Sequence, residues 1–381
     1  MGRNANGEGS IYPWRRDGKQ DGYKGAISYT DERGEAKRFV AYGRTRSAVR
    51  VKLDAARERL AAGAPVRDAA RAVGDWLSHW RATTLAVSDR KESTRHLYAT
   101  LCSKHLEPPP FGAITLDRLR PSDIEALVLA LRAKDLSDST VRQVYTILRA
   151  GLDGAVRDGL IARNPATVVK RPGVAHKEAR HLDAGEVAAV LKAAQASRYY
   201  PALALIASTG VRRGEALALR WEDVDLDAGV LRVTQTVTRI GKQLVITEPK
   251  SAKARRAIPL SPAVVTLLRK HRTAQKAERL RAANQWTDSG LVFTTGFGTV
   301  VEPHSLLRAA RAATQSAGVD GGVHTLRHSV AVGWLESGVH IKAVADLLGH
   351  SSIAITGDVY GHVSDIAARS AVDGWSGVLG L

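Results

Sequence analysis

The stretch Thr209-Gly210-Val211-Arg212-Arg213-Gly214-Glu215 sets two adjacent arginines between glycines, with a carboxylate three residues beyond the first of them. Further along the chain, His324-Thr325-Leu326-Arg327-His328 spaces a histidine and an arginine by one helical turn. Leu348-Gly349-His350 follows, and Tyr360 stands ten residues later. Between the first two stretches, Pro249-Lys250 lies among strand-like runs. The set gathers three guanidiniums, an amine, imidazoles and a phenol, and it contains no cluster of carboxylates of the kind that holds two metal ions.

The rest of the chain supplies a matching charge. Its 381 residues carry 56 Lys+Arg against 38 Asp+Glu, a formal net charge of +18. That length predicts two or three domains, and 44% hydrophobic residues are enough to give each a core. The excess is spread along the chain. Residues 1–67 hold 15 basic against 8 acidic side chains, 68–177 hold 17 against 12, and 178–381 hold 24 against 18. A basic tail would load one end, so this distribution points to a long polyanion touching every segment. The single cysteine, Cys102, excludes a disulfide framework and a cysteine zinc site and reads as a packing residue. No run reaches the length of a membrane span and no secretory leader opens the chain, so the expected setting is cytoplasmic, with no membrane partner.

Three segments follow from the patterning. Up to about Val66, Tyr23–Thr30 and Arg38–Tyr42 read as strands about an Asp31–Gly34 turn. Val49, Leu53, Ala56 and Leu60 then keep helical spacing, closed by Gly63 and Pro65. This small sheet with one helix carries Arg44 and Arg46 among its candidate DNA contacts. The segment 68–172 reads as helical: Trp76, Leu77 and Trp80 begin it, Ser93 and Thr94 precede a helix, and Pro121-Ser122 with Glu125 suggests a capping box. Val141, Val144, Leu148, Leu152 and Ala155 share the face of a helix running from Ser139 to a stop at Asn164–Pro165. Thr94, Arg95, Arg142 and Gln143 are its candidate phosphate or base contacts. In 178–381, Leu182-Asp183-x-x-Glu186-Val187 marks a capped helix, and Val230–Thr238 and Gln243–Glu248 read as strands around Gly241–Lys242. A second hairpin bend, carrying Pro249 to Arg256, precedes Ala257–Leu260.

The ordered series Arg212, Lys250, His324-x-x-Arg327, His350, Tyr360 resembles that of the tyrosine recombinases, in particular phage- and plasmid-type integrases, and the three-segment layout extends the likeness over nearly the whole chain. The resemblance implies a multidomain, mainly α chain with α+β parts. It would comprise a small β-sheet-plus-helix domain for arm-type DNA (1–66), a helical core-site DNA-binding domain (68–172), and a mixed α/β catalytic domain with a C-terminal tail (178–381). It implies a site-specific recombinase acting on double-stranded DNA through a 3′-phosphotyrosyl link and a Holliday junction, as a homotetramer on synapsed attachment sites. No metal, ATP or other cofactor is implied, while an excisionase and a host DNA-bending protein are partners of the kind such integrases use.

Physically, the series is what metal-free phosphodiester transfer requires. Arg212 and Arg327 can grip the non-bridging oxygens, which gather charge in transfer, with guanidiniums that stay charged at any working pH. Tyr360 is the candidate nucleophile, and with an unperturbed pKa of about 10 it needs a positive site or a base, for which His324 is the candidate. Lys250 is placed to protonate the leaving 5′ oxygen. His350 would donate to the phosphate, and Glu215 would orient the arginines.

Each residue also has a plainer reading. Arg212 and Glu215 make an ordinary i,i+3 helix pair, and Lys253 stands near enough to replace Lys250. His324 and His328 suggest a metal pair but have no third ligand. Residues 361–381, with Val363, Ile366, Val372 and Trp375, fit a tail docked on a neighbouring protomer or folded on their own domain. The Arg, Lys and Tyr set also suits a type IB topoisomerase-like enzyme, and the charge alone suits a DNA-binding regulator without chemistry.

Overall fold

A computed structural model of the chain describes residues 10–16, 19–30, 36–61, 71–175, 180–249, 252–350, 352 and 357. It contains two compact units, Met1–His176 and Lys177–Leu381.

The first unit opens with an antiparallel sheet of β1 (Ser10–Arg16), β2 (Lys19–Thr30) and β3 (Ala36–Gly43), with β2 in the centre. β1, which contains Pro13, is a strand that the sequence reading does not include. As an edge strand it tolerates the missing donor. Helix α1 (Arg46–Ala61) lays Val49, Leu53 and Ala56 on the sheet face that carries Ile27 and Ala41. Gly25 is required under it, because a Cβ there would stand 2.7 Å from Cδ1 of Leu53. The opposite face pairs Tyr12, Lys24 and Tyr42 across the three strands.

Helices α2 (Val73–Trp80), α3 (Glu92–His105), α4 (Pro121–Ala133) and α5 (Asp138–Arg157) share a separate core. The predicted face of α5 is the buried one, with Val141, Val144, Leu148, Leu152 and Ala155 inside. Trp76 of α2 lies against it and donates from Nε1 to the Gly151 carbonyl at 2.8 Å. Three local expectations are corrected. The box at α4 joins the Arg120 N–H to the Asp123 carboxylate at 2.8 Å, not Ser122 to Glu125. Pro121, which has no N–H and a helical φ, occupies the first helical position and pushes Ser122 inside. α5 starts from Ser137 as its cap and ends at Arg157, where Gly159 takes a left-handed φ of 69°; Asn164–Pro165 instead opens a short 3-10 turn. Ser93 and Thr94 lie within the first turn of α3 rather than before it.

The second unit begins with α6 (Ala184–Ala194), whose capping box of Asp183 and Glu186 is the predicted one. α7 (Tyr200–Thr209) and α8 (Arg213–Ala218) follow. Strands β4 (Val224–Asp225) and β5 (Val230–Val233) join the later β8 (Arg256–Pro259) in one sheet, while β6 (Thr236–Ile240) and β7 (Gln243–Thr247) form a separate hairpin. The single strand expected over Val230–Thr238 is therefore two. At Thr234 the chain leaves one sheet, the Thr234 hydroxyl donating to Asp223 at 2.9 Å, and it re-enters pairing at Thr236. The bend after β7 is likewise not a hairpin, because β8 pairs with β5. Helices α9 (Pro262–Ala282), α10 (Pro303–Ser316), α11 (Val323–Glu336) and α12 (Ile341–Leu348) complete the described part. One large apolar core links α6 to α10 and the start of α11. A smaller one, Ala331, Val332, Val344 and Leu348, fixes α12 on α11. Among the described residues no helix is long and apolar enough to cross a membrane.

Candidate active site

The short connection between α7 and α8 builds the first part of the site. Gly210 closes α7 with a left-handed φ of 63°, where a non-glycine residue is strained. Arg212 then takes extended backbone as the residue capping α8. Glu215 reaches back from the first turn: its Oε2 accepts the Arg212 N–H at 2.9 Å and its Oε1 accepts Nη1 of the same residue at 2.8 Å. One carboxylate thus caps the helix and fixes the guanidinium. The Glu215 side chain is only 3% exposed, whereas that of Arg212 remains 38% exposed. The pair is therefore more than a solvated surface contact.

Helix α11 brings His324 and Arg327. Arg327 is buried and donates from Nη1 to the Gly210 carbonyl and from Nη2 to the Leu348 carbonyl at 2.8 Å. Its Nη2 also lies 3.1 Å from Nε2 of His350. Gly349, at a φ of 64°, ends α12 and turns the chain so that His350 faces this cluster, while Nη2 of Arg212 donates to the Gly349 carbonyl at 3.0 Å. Arg212, Arg327 and His350 come together at the C-terminal end of α12, although they are far apart in sequence.

The electrostatics follow from that crowding of cations. Burial, then the charges of Arg327, Arg212 and Arg256, push the His350 imidazole down to about 4, against a smaller opposing pull from Glu215. Partial burial, then Arg327, Arg213 and Arg212, hold His324 below the usual histidine range. For Glu215 burial is the largest single influence and would raise its carboxyl. The Arg256 charge and hydrogen bond, with those from Arg212, outweigh it and leave the group below the usual carboxylate range. The result is a fixed carboxylate among guanidiniums, with neutral imidazoles beside them, a field suited to an anion.

Several expectations meet the structure differently. Glu215 binds Arg212 and Arg256; Arg327 is held by backbone carbonyls and the His350 ring. Lys250 and Tyr360 lie outside the described residues, as do Gly63, Pro65, the Asp31–Gly34 turn and the segment 361–381. Lys253 is exposed, and His328 stacks edge-on with His181 at 6.2 Å. Among the described residues no three His, Cys, Asp or Glu side chains gather to hold a metal ion. In the first unit Arg44, Arg46 and Gln143 are exposed, and Arg46 donates to the Ile11 carbonyl at 3.1 Å. Thr94 and Arg95 are half-buried on α3, with Arg95 donating to Ala86. Arg142 is half-buried and donates to the Pro172 carbonyl at 2.8 Å.

Arg256 is the residue that the motif reading misses. Its side chain is 6% exposed and its Nη2 donates to Oε2 of Glu215 at 2.9 Å. A signal was present: Arg256 is in phase with Ile258, the buried position of β8, and with the buried Leu260 just beyond it, so alternation places a charged residue on an apolar face.

Paired guanidiniums and imidazoles gathered in this way, on a mainly helical scaffold with small sheets, form a built anion site rather than a mere basic surface. Residues 180–366 match the family model described as the phage integrase family. That part of the chain is a tyrosine recombinase domain, and the chain is a site-specific recombinase, an enzyme that cleaves and rejoins DNA. A tyrosine recombinase XerC-like protein of Caldanaerobacter subterraneus is 27% identical over 90% of this chain and 92% of its own length. An integrase of Saccharopolyspora erythraea is 29% identical over 78% and 80%. The Tn1549 transposon integrase in complex with transposon right-end DNA shares the fold, with a TM-score of 0.66 and 20% identity over 79% of this chain and 98% of its own. So does lambda integrase as a tetramer bound to a Holliday junction, with a TM-score of 0.59 and 18% identity over 94% and 96%.

Proposed function

We propose that the chain integrates a mobile element by tyrosine-mediated strand exchange and that Arg212, Arg327, His350, His324, Lys250 and Tyr360 carry the chemistry. The phenolate of Tyr360 attacks a DNA phosphate, a 3′-phosphotyrosyl bond forms, and the 5′ oxygen leaves with a proton from Lys250. A 5′-hydroxyl from the partner duplex then attacks the link and releases the tyrosine. One phosphodiester replaces another, so the exchange balances without ATP. Arg212 and Arg327 bind the non-bridging oxygens. His324, held neutral by partial burial and then by its cationic neighbours, can accept the phenol proton. His350 donates to the phosphate from Nδ1, because its Nε2 faces a guanidinium donor.

The observation that carries this reading is the convergence of Arg212, Arg327 and His350 on the end of α12. By analogy with the lambda integrase tetramer on a Holliday junction, four protomers on two core sites perform two successive exchanges. The helical segment 68–172 holds the core site. The sheet of the first unit presents its open face, with Tyr12, Lys24 and Tyr42, to arm-type DNA.

The test uses DNA flanking the encoding gene, incubated in EDTA with wild type and with Tyr360→Phe. A detergent-resistant protein–DNA adduct from wild type alone is expected. Exchange with a second site then separates recombination from simple relaxation. A native-gel shift without any adduct, even on nicked substrates, would remove the catalytic assignment.

A further inference from the structure

Three arginines from three elements take the three successive carbonyls that end α12. Arg256 donates from Nε to Leu347 at 2.5 Å, Arg327 to Leu348 at 2.8 Å, and Arg212 to Gly349 at 3.0 Å. The last turn of a helix leaves carbonyls without intrahelical partners and carries the negative end of the dipole, so cations are favoured there. The three arginines are not equivalent. Arg212 keeps more than a third of its side chain exposed, whereas Arg256 is 6% exposed. All three nitrogens of the Arg256 guanidinium are engaged within the protein: Nε with Leu347, Nη1 with the Ala254 carbonyl at 3.1 Å and Nη2 with Glu215 at 2.9 Å.

Arg256 therefore joins two parts of the site. Through Glu215 it reaches Arg212, since the same carboxylate holds both guanidiniums. Through Leu347 it fixes the chain three residues before His350. Gly349 leaves just enough room, because a Cβ at that position would stand 2.8 Å from Nη1 of Arg256.

We infer that Arg256 is a positioning residue for strand cleavage: it locks the Glu215 carboxylate and the end of α12 so that Arg212 and His350 meet the phosphate in register, without touching the phosphate itself. This rests on the catalytic reading above. A purely structural ion pair would affect stability alone. A positioning role also sets the charge state of Glu215, whose principal counter-charge is Arg256. Removing that charge leaves a buried carboxyl that protonates at higher pH, and the acid limb of cleavage moves with it.

The experiment compares full-length wild type, Arg256→Met and Arg256→Lys on nicked duplex DNA from beside the encoding gene, which traps the covalent adduct. Adduct rate is followed against pH, DNA affinity by native-gel shift, and folding by thermal melting. Arg256→Met should bind DNA as wild type does, cleave about 10²-fold more slowly, as small misplacements of reacting groups do, and show its acid limb at higher pH. Arg256→Lys should return the limb towards wild type while leaving a rate deficit, since an ammonium cannot reproduce the planar fork. A folded Arg256→Met with wild-type rate and limb overturns the inference, as does a loss of rate in both variants with the limb unmoved. If Arg256→Met does not fold, Arg256→Lys decides: slow cleavage at normal melting temperature supports positioning, and a wild-type rate refutes it. No adduct from wild type itself removes the catalytic reading, and the inference with it.

Discussion

Nε2 of His350 lies 3.1 Å from Nη2 of Arg327. A guanidinium only donates, so the imidazole must accept there and carry its proton on Nδ1. The contact selects a neutral tautomer with its proton on Nδ1. Protonating the ring would set two donors against each other, in line with its depressed titration.

His350 in the free protein should therefore titrate near 4, far below the usual histidine value of about 6.5. Two-dimensional NMR of the imidazole nitrogens should show the Nδ1–H tautomer at pH 6. Because the folded value lies below the unfolded one, the unfolded chain binds more protons between the two. Stability is thus full above about pH 6.5 and falls as the pH drops towards 4. His350→Gln should make that slope shallower. A cognate DNA site should raise the titration point, since a phosphate offsets the arginine field. A free-protein value near 6.5 would contradict the geometry.

Glu215→Ala should destabilise the second unit by about 3–5 kcal/mol in urea unfolding at pH 7, because it strands the buried Arg256 charge. The folded carboxyl titrates below its usual range. Its contribution is present above the unfolded value of about 4.3 and is lost as pH falls through the lower folded value. The gap between wild type and variant should accordingly narrow towards pH 3. A gap unchanged with pH would mean that packing, not charge, holds the site.

Much of this was legible from sequence because its signals are local. The α5 stripe and the Asp183–Glu186 box are each dictated within one or two turns of chain. The residue types of the site were legible too, since phosphate chemistry restricts them. What was not legible is which groups meet. Glu215 is three residues from Arg212 but binds Arg256 from 41 positions away, and no spacing rule reports that. The break at Thr234–Gln235 was hidden for a similar reason. Val230 to Thr238 has uniform strand propensity, and only the competition of two sheets divides it.

Cys102 should resist thiol reagents in the native state. Its side chain is fully buried, and burial, followed by the charge and hydrogen bonding of nearby Glu107, pushes the thiol well above its ordinary value. Glu107 is itself tied to Arg81 at 2.5 and 2.9 Å. Reaction with an aromatic disulfide should proceed only at the rate of unfolding and accelerate in urea. Prompt labelling of the folded protein would show that the core of the helical segment opens locally.

Gly349 offers the sharpest separation of strain from site geometry. An alanine there must adopt a φ of 64° and bring its Cβ to 2.8 Å from Nη1 and 3.1 Å from Cζ of the buried Arg256. Gly318 has a similar φ of 72°, and an added methyl meets nothing within 4 Å. Left-handed strain, about 1–2 kcal/mol, is common to both substitutions, and only Gly349→Ala also displaces the arginine. Both variants should lose stability in thermal melts. Gly349→Ala alone should slow adduct formation, by about 10-fold or more given its effect on reacting geometry, while shifting DNA normally on a native gel. Equal cleavage by the two variants would mean that the end of α12 can move without consequence, and that His350 and Arg212 do not depend on its register.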